Sequence, residues 1–290
     1  MQHKLNFSGH ESFHCRSLWL KKGYEFISSD HKFSEPSAVV DLGVGKNMVS
    51  SISYWMNSFG LAAKENRFSE LADFIMGEEG VDPYLEDNAS LWLLHYHLVV
   101  ENLASIYSIF FNEFRKHQIE FNKTQLTNFL KWKCEETNTT FNDNTIKRDI
   151  AVFLRTYIKP IKSTKNLEDI YTGLFIDLNI IEIIKKFDTD EIDWYRILNK
   201  DRDELPIEVI LYSILNNENY TQSISFEELL IGYNSPGNIF AISPNGLLEK
   251  IAEMTNKYKD ITFSDDAGIR ELQFKNRMDK WDILKRYYEK

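Results

Sequence analysis

Three stretches of the chain carry apolar residues at helical spacing beside an exposed polar face. In the first, a helix fits Cys15 to Ser29, with Leu18, Trp19, Tyr24 and Phe26 among its apolar residues and Ser12 as a plausible N-cap. Ser34-Glu-Pro36-Ser then opens a short helix, with proline near the first turn. After the glycine-containing "DLGVGKN", Met48, Ile52, Trp55, Met56 and Phe59 fall on one face of a helix from about Asn47 to Phe59. Its opposite face shows Asn47, Ser50, Tyr54 and Asn57. Helix, glycine turn, amphipathic helix is the grammar of a helix-turn-helix.

The second stretch, 123–158, opens a helix at Lys123-Thr-Gln and buries Leu126, Phe129, Leu130 and Cys134. A polar loop leads to a helix whose inner stripe is Ile146, Ile150, Phe153, Leu154 and Tyr157, with Lys147, Arg148 and Arg155 pointing away. In the third, Leu205–Leu215 is a helix and Ser225-Phe-Glu-Glu228 has the spacing of a capping box. Ser243-Pro-Asn-Gly opens a longer helix with Leu247, Ile251, Met254 and Tyr258 inside. "ITFSDDAGIRELQF" alternates around Asp265-Asp-Ala-Gly268 and reads as a hairpin. Three helices followed by a hairpin is the order of a winged helix. The aromatic stretch 84–121 reads as a helical core layer, and the acidic stretch 166–204 as a linker with one or two helices. The expected fold is mainly α, with winged-helix or helix-turn-helix-like modules and a few short β-hairpins. The expected divisions are 1–122, 123–200 and 201–290.

Composition changes this picture little. The chain has 290 residues, 43% hydrophobic and 14% aromatic, enough for a sizeable core. No apolar run approaches the roughly 20 residues of a membrane helix, and the N-terminus lacks a signal peptide's apolar core. Two cysteines, Cys15 and Cys134, make no disulfide framework, so a reduced, cytoplasmic setting is expected. Charge distribution matters more. The net charge is −10, yet residues 114–165 carry net +6 between acidic stretches, −8 over 71–113 and −10 over 166–234. A basic block holding an amphipathic helix suits nucleic acid.

Candidate chemistry is sparse. His10-Glu11-Ser12-Phe13-His14 has the letters of a zinc-protease helix, H-E-x-x-H. Gly9 before it and Ser12 within it place the helix start after His10, so the two histidines are not expected to share a helix face, and no zinc is expected. "DLGVGKN" lacks the first glycine and the hydroxyl residue of a phosphate-binding loop. Lys46-Asn47 at a helix N-terminus still suits a phosphate contact, as a cation and free backbone N–H groups converge there. Asp82, Glu86 and Asp87 in "DPYLED" offer carboxylates to a cation, or cap the following helix.

Several strings resemble a bacterial family, the domain of unknown function numbered four thousand and seven. They are "FSGHESF", "WLKKG", "LGVGKNMV", "DPYLED", "LWLLH" and "FNEF", in that order over residues 7–114. The resemblance implies a component of a DNA phosphorothioation defence system, acting as a DNA-nicking subunit. Its implied partners are DNA, a cysteine desulfurase, an ATPase and a sulfur-transfer protein, with no membrane. Nicking would imply Mg2+ or Mn2+ held by carboxylates. His10 and Glu11 in the shared letters, with Arg16 and Lys21 following, become the catalytic candidates. Lys46, Asn47, Tyr54, Lys147, Arg148 and Arg155 are the DNA-binding candidates. A non-catalytic DNA-binding adaptor that docks protein partners stands as the alternative.

Overall fold

Where apolar stripes run at helical spacing, the computed structural model forms helices. It describes residues 5–63, 67–159, 173–185, 193–266 and 268–289. They divide between two compact units, Met1–Ile197 and Leu198–Lys290.

In the first unit, α1 (Trp19–Ser28), α2 (Ala38–Asp41) and α3 (Lys46–Ser58) are followed by a small hairpin, β1 (Ala62–Ala63) and β2 (Arg67–Phe68). The expected α3 stripe is buried at Ile52, Trp55, Met56 and Phe59. The expected start of α1 is corrected. Ser12 does not cap it; the backbone there is left-handed, with φ 72°, and the helix begins only at Trp19. Next come α4 (Glu70–Met76) and α5 (Asn88–Val100), capped by Ser69 and Asp87, whose side-chain oxygens accept from Ala72 N and Ala89 N. α5 buries residues all round, including His95, whose Nδ1 lies 3.0 Å from the Tyr157 hydroxyl. α6 (Ser105–Ile109) widens into one π-helical turn, Phe110–Phe114, before α7 (Arg115–His117). That turn sends Phe110, Phe111 and Phe114 into the core.

The next module runs β3 (Glu120–Asn122), α8 (Lys123–Glu136), α9 (Asp143–Tyr157), β4 (Ile181–Ile184), β5 (Trp194–Ile197). Asn122 and Gln125 form a reciprocal capping box at the start of α8. All five residues of the expected α9 stripe are buried. The three strands are antiparallel in the order β3-β5-β4, so the last strand in sequence is the middle one in space. Arg196 on β5 reaches Glu120 on one neighbour at 2.8 Å and Glu182 on the other at 3.4 Å. These strands correct the reading of 166–204 as a helical linker. Its described part holds one 3-10 turn, Ile176–Leu178, and two strands. Residues 166–172 and 186–192 of that stretch, and 160–165 of the basic block, lie outside the described residues. β3 at the end of the expected 1–122 segment pairs with β5 in the next, so both belong to one unit.

The second unit follows a similar order, with three helices rather than two between its first two strands and a helix at each end. α10 (Ile207–Asn216) leads to β6 (Ser223–Ser225), α11 (Phe226–Ile231), α12 (Pro236–Ile239), α13 (Pro244–Lys257), β7 (Ile261–Asp266), β8 (Ile269–Phe274) and α14 (Lys280–Tyr288). Ser225, Ser235 and Ser243 cap the three middle helices. The sheet order is β6-β8-β7, again with the last strand in the middle. The expected hairpin is there, with Asp265 paired to Arg270 and Asp266 to Ile269; of its turn, Ala267 lies outside the described residues. Buried Arg202 donates to the Leu198 and Phe240 carbonyls, and burial pushes its pKa down. The described residues are mainly α, with two small three-stranded antiparallel sheets among them. No helix among the described residues is long and apolar enough to cross a membrane.

Candidate functional site

Loop 8–16 enters the core between α3 and α9. His10 is 3% exposed and Asp149, on α9, 2%; His10 Nε2 and Asp149 Oδ1 are 3.1 Å apart. The Ser12 N–H donates to His10 Nδ1 at 3.2 Å, which leaves the ring proton on Nε2, directed at the carboxylate. Asp149 also accepts the Ser8 N–H, at 3.1 and 3.0 Å. The His10 ring stacks on Trp55 at 6.1 Å and meets Tyr54 edge-on at 5.9 Å. From α3, Ser51 Oγ donates to the His10 carbonyl and Trp55 Nε1 to the Phe13 carbonyl. From α9, Arg155 donates to the Ser12 carbonyl at 2.8 Å.

This fit bends the backbone. Ser8, Gly9, Glu11 and Ser12 all have left-handed φ, at 68°, 104°, 48° and 72°. Three of the four are not glycine, which costs strain that the surrounding bonds must offset. At Gly9 a Cβ would sit 2.5 Å from the Tyr54 ring.

The catalytic candidates separate. Both nitrogens of His10 are engaged and the ring is buried, so the side chain ties the loop to α9. His10 and His14 lie in loop, not on one helix face, which removes the geometric condition of the zinc motif. Glu11 is exposed and makes no ion pair among the described residues. The Arg16 guanidinium lies over the Trp19 ring at 5.4 Å. Lys21 lies between the Tyr24 and Tyr84 rings, at 5.8 and 5.6 Å, and 3.5 Å from Glu25.

Among the DNA-binding candidates, Lys46 and Asn47 are exposed at the start of α3, where Gly45 supplies no side-chain cap. Lys147, Arg148 and Arg155 are exposed on α9. Tyr54 departs from the outer face expected for it. Its ring lies under the Gly9 turn, and burial with the nearby Asp149 charge pushes its hydroxyl pKa well up. Asp149 and Ser51 were missed from sequence, and Trp55 was read there only as part of the apolar stripe. The one available signal was an acid beside the apolar stripe of a basic helix.

Mg2+ or Mn2+ would need oxygen ligands converging on one point. Among the described residues no three His, Cys, Asp or Glu side chains are grouped to hold a metal. Asp149 is engaged by Ser8 and His10, Asp82 accepts the Glu86 and Asp87 N–H groups, and Asp87 caps α5. The described side chains by themselves therefore do not fit a metal cage.

Small helical modules closed by antiparallel hairpins, with one loop locked between two of their helices, define the chain's class. It belongs to the family described as protein of unknown function (DUF4007), whose model matches residues 7–288. It is similar to two solved structures of SspB. One, magnesium ion-bound, has a TM-score of 0.86 and 26% identity, with 98% of this chain and 88% of that chain covered. The other has a TM-score of 0.84 with the same identity and coverage. No curated protein matches.

Proposed function

We propose that the protein is a DNA-binding component of an Ssp-type phosphorothioation defence system. The observation that carries this is α9, an amphipathic helix with Lys147, Arg148 and Arg155 exposed, set in a helix–strand–helix–helix–hairpin order. That order, with the first strand paired to the last, suits a winged helix, and α9 holds the place of its groove-facing helix. The similarity to SspB over 98% of the chain supports membership of the same system. DNA is the ligand; the ATPase, the sulfur-transfer protein and the cysteine desulfurase are the partners.

Lys147→Glu with Arg148→Glu tests it. Both side chains are exposed, so the double variant should melt like the wild type. Duplex affinity should fall more than tenfold at low salt, with a shallower salt slope, since binding through fewer phosphate contacts releases fewer counterions. Unchanged affinity in a fluorescence titration would remove α9 from the interface.

In the nicking reading, Glu11 is the exposed carboxylate left to engage water or a metal, with Arg16 and Lys21 as flanking cations. The adaptor reading is favoured by the engaged nitrogens of His10. Supercoiled plasmid with Mg2+ or Mn2+ separates the two. Open circles that vanish with EDTA establish nicking; intact plasmid with retained binding establishes the adaptor.

A further inference from the structure

Loop 8–12 is anchored on both sides of one residue. The His10 carbonyl accepts Ser51 Oγ from α3, and the Ser12 carbonyl accepts Arg155 from α9. Ser51 lies one turn beyond Asn47, near the exposed start of α3. Arg155 lies seven positions after Arg148, about 20° away around the helix, so the two share a face. Glu11, exposed between those two anchored carbonyls, therefore sits on a loop held by both helices, and both expose cations, Lys46 on α3 and Lys147, Arg148 and Arg155 on α9. Its carboxylate is unpaired among the described residues, although Arg155 holds the very next carbonyl. Its backbone is left-handed, and the buried His10–Asp149 pair fixes it there.

An isolated carboxylate on such a face repels phosphate. It accepts hydrogen bonds and donates none, so in the major groove, where α9 would lie, its partners are base amino groups, cytosine N4 or adenine N6. We propose that Glu11 is a specificity-determining residue, a rigidly presented acceptor for an exocyclic base amino group. His10 and Asp149 are its positioning residues. This rests on the DNA-binding reading above in its adaptor form, which leaves the Glu11 carboxylate to the bases rather than to water or a metal.

The test is binding of the full chain, in EDTA, to a pool of randomised duplexes, with selected sequences read out. Wild type should select cytosine or adenine at one position by about tenfold. Glu11→Ala should flatten that position and bind scrambled duplex several-fold more tightly, having lost a charge that repels phosphate. Asp149→Asn, which keeps the side chain's size, should blunt the same preference while scrambled-duplex affinity stays within twofold, a split that simple destabilisation would not produce. Glu11→Ala with unchanged preference and affinity overturns the proposal. So does a Glu11-dependent gain in affinity on adding Mg2+ with no base preference, which would make the carboxylate a metal contact. Failure of wild type to bind any duplex overturns instead the DNA-binding reading beneath it.

Discussion

At the residue scale, Gly9 shows how narrowly the loop is specified. A Cβ there would enter the Tyr54 ring, and φ is 104°, outside the range L-residues favour. Gly9→Ala should cost about 1–3 kcal/mol in urea unfolding, with the loss located at the loop. A variant as stable as wild type would mean the loop can reseat without its lock. The same geometry predicts no stoichiometric zinc, because His10 faces Asp149 while His14 sits beyond two left-handed residues. Elemental analysis finding equimolar zinc, lost on His14→Ala, would contradict that. Sequence exposed only half of this site. Gly9 and Ser12 signalled a break in the helix. Nothing in the local pattern placed Asp149 against His10, because the pair is 139 positions apart and only the tertiary fold brings it together.

At the scale of elements, legibility followed length. α3, α8, α9 and α13 have 13, 14, 15 and 14 residues, and their stripes predicted both the helix and the buried face. β3 and β6 have three residues each, too few for alternation to register, and both run straight into the following helix cap. β4 and β5 were hidden by acids. Glu182 and Asp193 made their surroundings look like solvated linker, yet β5 alternates, with Tyr195 and Ile197 buried and Arg196 tied to both neighbours. A charge-rich segment can be a strand when its charges meet across the sheet. That makes Arg196→Ala a useful probe. The pairs are about half exposed, so its cost should stay near 1 kcal/mol or below by chemical denaturation, and a larger loss would give the network a structural weight that exposed pairs rarely carry.

At the scale of the molecule, the boundary between units falls at Ile197/Leu198. The second unit has its own capped helices, its own sheet and a buried apolar set that includes Ile210, Leu211, Leu229, Leu247 and Leu272. A fragment spanning 198–290 should therefore melt in a single cooperative transition. A broad, non-cooperative melt by circular dichroism would show that it depends on the first unit. The two three-stranded sheets share one peculiarity, since β5 and β8 are synthesised last but lie in the middle. During translation, β3 and β4 leave the ribosome with no strand between them to pair with. At about 5–20 residues per second, β3 waits seconds for Trp194 to appear. Until then its backbone groups are open to other nascent chains, and only the arrival of β5 closes that window.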